Sequence, residues 1–266
     1  SSSVTSAMMT ESELASVNKS IDPLNLCDKL VNSSSVSINS VLDTVSRRLI
    51  EQLFATGNFR EVIEVTSDLL EDKESAFLFK ARGECLAQVH CYDKAIEDLS
   101  QALKLDPLCY KTHNNLGLSY KEIGLLDASA FHIGEAIRIN PLFAEAHNNF
   151  GNVKSERADV TGARRSYLKS IEIDPNNAAA FWNLHSTYSD IDHAKTILEY
   201  CLEKDHQYEP AIYTLATINA VKGNHDFLDW MLSTEIASDS TLRSIAWMLS
   251  LPKLPKLEFN RWDVFD

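Results

Sequence analysis

The chain has 266 residues, 44% of them hydrophobic and 24% charged, with a formal net charge of −13. Eight glycines and seven prolines are too few for turn-dense all-β folds, and no GxGxxG or GxxxxGK[ST] run is present to cradle a phosphate, so a mostly helical protein remains. The acid excess argues against neutralising nucleic-acid phosphates or docking on an anionic membrane, and no apolar run approaches the ~18 residues of a spanning helix.

In chain order, residues 1–42 are rich in serine, with a short apolar stretch at Leu24, Leu26, Leu30 and Val31, and read as a partly mobile leading segment. No basic stretch followed by an apolar run opens the chain. Five scattered cysteines without a CxxC pair fit reduced thiols, so the expected compartment is cytoplasmic. Further on, Pro107, Pro141 and Pro175 recur at 34-residue intervals, and Gly83, Gly117 and Gly151 recur with the same period. Units of one phase follow: 76–109, 110–143 and 144–177 are regular, while 43–75, 178–208 and 209–232 are weaker. Each regular unit reads as a helix–turn–helix ended by the proline at position 32. Small residues at positions 8 (the glycines) and 20 (Ala95, Ser129, Ala163) predict a close helix approach, filled by Leu99, Ile133 and Tyr167 at position 24. The unit 178–208 has lost about three residues, expected in its turn, and carries His206 in place of the proline. Residues 233–266 predict a capping helix at 242–249, then an extended segment after Pro252 and Pro255. The aromatic ending Phe259-Asn260-Arg261-Trp262-Asp263-Val264-Phe265 reads as a cut within a longer protein.

This pattern, large–x₂–Leu–Gly–x₂–Tyr followed by Ala, Phe, Ala and Pro, resembles the tetratricopeptide repeat (TPR). The resemblance implies an all-α fold: a right-handed solenoid of helix–turn–helix repeats with a C-terminal capping helix and with the first helices lining a concave face. Helical spacing puts positions 2, 5, 6, 9 and 12–13 on one face of the first helix. Position 6 carries Asn115, Asn149 and Asn183, position 5 carries Asn114 and Asn148, and Asn152 stands at position 9. Asn is a mediocre helix former, and its amide can both donate and accept. The runs His113-Asn114-Asn115-Leu116-Gly117 and His147-Asn148-Asn149-Phe150-Gly151 are similar to the Asn-ladder repeats of the O-linked N-acetylglucosamine transferase superhelix, which implies a ladder that holds peptides. The plainer alternative is that these amides are polar filler.

Trp182 and Tyr213, both at position 5, would add aromatic grip, unless the irregular unit turns Trp182 into the core in place of Phe181. Lys80 and Lys111 place basic groups toward the N-terminal half of the groove. Lys111 and Asn115 suggest a carboxylate clamp, but Glu145 and Asn149 stand where the next repeat would need cations. Cys85, His90 and Cys91 lack a fourth ligand and metal-site spacing, and no hydrolase or kinase signature is present, so neither metal nor cofactor is expected. The chain therefore reads as a non-catalytic module that binds a protein or peptide segment in its groove. A second reading makes it the recruiting N-terminal region of a larger methyltransferase or glycosyltransferase. A third is self-assembly through the ends of the array.

Overall fold

The computed structural model describes residues 38–221, so the segment 1–37, the end of the last unit and the expected capping helix at 242–249 lie outside the described residues. Within them are eleven helices and no strand: α1 (Ile38–Ala55), α2 (Phe59–Asp72), α3 (Ala76–Gln88), α4 (Tyr92–Leu105), α5 (Tyr110–Glu122), α6 (Leu126–Ile139), α7 (Ala144–Glu156), α8 (Val160–Ile173), α9 (Ala178–His185), α10 (Ile191–Lys204) and α11 (Glu209–Val221). They fall into two compact units that divide within α4, one up to Asp98 and one from Leu99.

In the first unit Ile50, Val62, Leu78, Ala81 and Cys85 form a core with Phe59, Leu69 and Phe77 around it. Arg82 lays its fork across Asp98 at 2.7 and 2.8 Å and reaches Ser67 at 3.2 Å, a bidentate pair that ties three helices together. Burial pushes the Cys85 thiol up to about 12, so it stays protonated and packs as a small apolar group.

In the second unit the helix pairs α5–α6, α7–α8 and α9–α10 pack within repeats, and α6–α7, α8–α9 and α10–α11 pack between them, the stacking of a helical-repeat solenoid. The small-and-large pattern works as expected. A Cβ on Gly117 would come within 2.5 Å of the Ile133 side chain, and one on Gly151 within 2.3 Å of the Tyr167 ring. Each glycine of α5 and α7 therefore admits the position-24 side chain of the following helix.

Two turn devices repeat with the period. The connection between the helices of a repeat passes through a left-handed residue, at Gly57, His90, Gly124 and Ala158, with φ between 61° and 78°. Glycine takes that conformation freely, whereas His90 and Ala158 carry a steric cost. At the repeat ends, Oδ1 of Asp106, Asn140, Asp174 and Asp205 accepts the backbone N–H two residues on, at 3.4, 3.2, 3.1 and 3.0 Å. His113 and His147 add a second tie there, their Nε2 atoms lying 3.2 and 2.9 Å from the carbonyls of Pro107 and Pro141.

The unit 178–208 departs from the expected deletion. Its turn, 186–190, is not shortened; the first helix is, since α9 has eight residues where α5 and α7 have thirteen. Arg164 of α8 holds the turn that follows this short helix. Its guanidinium donates to the Thr187 carbonyl and, at 3.1 Å, to the Thr187 hydroxyl, and it lies 4.1 Å over the Tyr188 ring. The last-turn carbonyls of α9 are met locally, the Ser186 and Thr187 hydroxyls donating to Asn183 and Leu184, each at 2.7 Å.

Candidate functional site

The candidate surface is the first-helix face of the second unit, on α5, α7, α9 and α11. The row of amides there is linked from repeat to repeat. Asn149 Nδ2 donates to Asn114 Oδ1 at 3.0 Å, and Asn183 Nδ2 donates to Asn148 Oδ1 at 2.9 Å. In α7 and α9, position 6 thus bonds position 5 of the repeat before. Asn114 also donates to Glu145 Oε1 at 3.0 Å and to Asn115 Oδ1 at 3.4 Å. Asn114, Asn148 and Asn149 are buried, with Asn114 at 0% exposure, so these three amides lie between helices and not on an open wall. Their burial is tolerated because each is hydrogen-bonded.

Asn115, Asn152 and Asn183 are half-buried. Asn152 Oδ1 accepts the Tyr167 hydroxyl at 2.9 Å, which joins positions 9 and 24 of one repeat. Burial pushes that phenol up to about 12. Lys121 crosses from α5 to α7, with Nζ 2.7 Å from Glu122 and 3.5 Å from Glu156. Burial draws the ammonium down, but the two carboxylates outweigh it and hold its pKa above the ordinary value. Lys111 is exposed and carries no ion pair among the described residues.

Trp182 is half-buried against the core formed by Leu198, Cys201, Ala211, Ile212 and Leu215, with Phe181 packed on the same cluster. Both rings therefore share the core, and the Trp182 indole nitrogen is enclosed without a hydrogen-bond partner. Tyr213 is exposed. Lys80 belongs to the other compact unit, where it pairs with Glu84 at 3.0 Å. Among the described residues no group of three His, Cys, Asp or Glu side chains could hold a metal ion, and no helix is long and apolar enough to cross a membrane.

Two partnerships lay outside the sequence reading. One is the Glu145–Asn114 bond, whose signal was the doubling of Asn at positions 5 and 6 in consecutive repeats: one amide of each doublet can reach forward and the other back. The other is the pairing of His113 Nδ1 with His132 Nδ1 at 3.2 Å, the His132 ring stacked on Tyr120.

No family model matches the chain, and no curated protein matches it by sequence. Solved structures do. PilF of Pseudomonas aeruginosa is 15% identical with a TM-score of 0.62, over 77% of this chain and 96% of that one. TTC0263, a thermophilic TPR protein of Thermus thermophilus, is 17% identical with a TM-score of 0.56, over 65% of this chain and 96% of that one. A crystal structure of MamA is 22% identical with a TM-score of 0.53, over 59% of this chain and 94% of that one. At these identities the likeness is one of fold.

Proposed function

Taking the tetratricopeptide-repeat fold as premise, we propose that the chain is a non-catalytic protein-interaction module that holds an extended partner segment on the first-helix face of its second unit. The observation that carries this reading is the pair of bonds Asn114–Asn149 and Asn148–Asn183, each spanning 35 residues. They hold equivalent positions of α5, α7 and α9 side by side, so the groups around them recur at the repeat spacing that an extended chain can follow. Lys111, Asn115, Asn152, Asn183, Trp182 and Tyr213 are the proposed contacts, with Asn114, Asn148 and Asn149 as the inner row that keeps them aligned. The aromatic end, Trp182 and Tyr213, takes an apolar side chain of the segment, because large rigid rings supply contact area at low entropic cost.

The test is site-specific photo-crosslinking with the full chain. A photoreactive side chain at Asn115 or Tyr213 is expected to capture the same partner. One at Phe131 or Leu168, exposed on second helices α6 and α8, is expected to capture none. Adducts formed only from Phe131 and Leu168 would refute the reading.

A further inference from the structure

The direction of the amide bonds carries the groove reading one step further, to the chemistry of the segment. At neutral pH a carboxylate only accepts hydrogen bonds. Glu145 therefore fixes Asn114 with Nδ2 toward the carboxylate at 3.0 Å, leaving Oδ1 to face Asn149 at 3.0 Å. Asn149 must then donate. Asn183 donates to Asn148 in the same sense at 2.9 Å. Asn149 and Asn183 each spend an amide hydrogen on the preceding repeat, while Asn149 Oδ1 and Asn183 Oδ1 carry no hydrogen bond among the described residues. Charge on α7 points the same way. Glu145 and Glu156 are exposed, and the nearby Lys121 ammonium is already held by Glu122 and Glu156. Lys111 is the opposing charge, one repeat away at the start of α5.

We infer that the stretch from α7 to α9 selects an extended segment rich in lysine or arginine. This rests on the groove reading of the same face. The cationic side chains lie against Glu145 and Glu156, and the segment donates to the Asn183 oxygen. Lys111 repels such a segment from the first turn of α5, which sets where it lies. The chain's net charge of −13 attracts it over a longer range.

The test is fluorescence anisotropy of the full chain with short labelled peptides of alternating serine and lysine, serine and glutamine, or serine and glutamate. The lysine peptide is expected to bind about tenfold or more tighter than the glutamine peptide. A Glu145→Gln/Glu156→Gln variant should lose about that factor. Its side-chain carbonyl at 145 still accepts from Asn114, so the row stays intact. A Glu172→Gln/Glu203→Gln variant makes the same change in net charge on second helices α8 and α10 and should keep the affinity. Equal affinity for lysine and glutamine peptides overturns the inference while leaving groove binding in place. Equal losses in the two variants also overturn it, because the attraction then belongs to the whole surface. Failure of the crosslinking experiment above is separate and removes the groove itself.

Discussion

Alanine in place of Gly151 puts a methyl group where the Tyr167 ring now lies. The added carbon would sit 2.3 Å from Cε1, 2.5 Å from Cδ1 and 2.9 Å from Cζ, all shorter than ordinary contact. The ring has little room to withdraw, since Tyr167 is 2% exposed and its hydroxyl is held by Asn152 at 2.9 Å. Forcing a methyl into such a site costs about 1–3 kcal/mol, and losing the Tyr167–Asn152 bond adds about 1 kcal/mol. The better helix propensity of alanine returns about 1 kcal/mol. Gly151→Ala should therefore destabilise by about 1–3 kcal/mol. Gly134 is the internal control: it lies within α6 with nothing within 4 Å of an added Cβ, so Gly134→Ala should stabilise by up to about 1 kcal/mol. Urea unfolding followed by circular dichroism, with hydrogen exchange on α7 and α8 to localise the effect, measures both. If the two substitutions shift the midpoint in the same direction, close helix approach is not what position 8 provides.

The other expectations follow the same logic. Ser129 is fully buried with an unpartnered hydroxyl, and position 20 is alanine in the neighbouring repeats, so Ser129→Ala should stabilise by about 1 kcal/mol in the same unfolding assay. Ala158→Gly relieves a left-handed residue (φ 61°) and should gain about 0.5–1 kcal/mol, read as a rise in Tm. Asn149→Ala should cost about 1–2 kcal/mol by leaving Asn114 Oδ1 unsatisfied, and a double-mutant cycle with Asn114→Ala should show a total smaller than the sum of the two. Burial, and then the neighbouring His113, hold the His132 pKa down to about 4 from 6.5, with Glu135 acting weakly the other way. The unfolded chain therefore takes up a proton at His132 first. Stability from this group is complete above pH 6.5 and is lost as the pH falls toward 4. The melting temperature of wild type should fall relative to that of His132→Phe as the pH drops across that range.

The fit of Gly117 and Gly151 against position 24 was legible because it follows from a fixed period and from residue size. Burial along the amide row was not. Asn114 and Asn115 are adjacent on one helix, and only the next repeat, through Glu145 and Asn149, encloses the first and leaves the second at the edge. The deletion in the unit 178–208 was misplaced for a similar reason. Local composition allows α9 to continue through Ser186 and Thr187, whose hydroxyls instead bond the Asn183 and Leu184 carbonyls, and the turn so formed is held by Arg164, 23 residues earlier in the chain. Left-handed turn residues could be read where they are glycine, at 57 and 124. They could not be read at His90 and Ala158, where packing of the two helices imposes the conformation against local preference. The half-buried state of Trp182 depends on α10 and α11 together, which no single-repeat pattern describes.

The bond made by Asp106, Asn140, Asp174 and Asp205 at the repeat ends changes what the prolines mean. Asp205 closes its turn at 3.0 Å beside His206, as tightly as Asp174 does at 3.1 Å beside Pro175. The turn at 205–207 is therefore kept by a short acceptor side chain without the proline, which elsewhere acts as a reinforcement. Substituting His206 by proline should leave the spacing of α10 and α11 as it is. Substituting Asp205 by leucine should not, and a repeat counted by its prolines alone will be counted short wherever the acceptor has been retained without them.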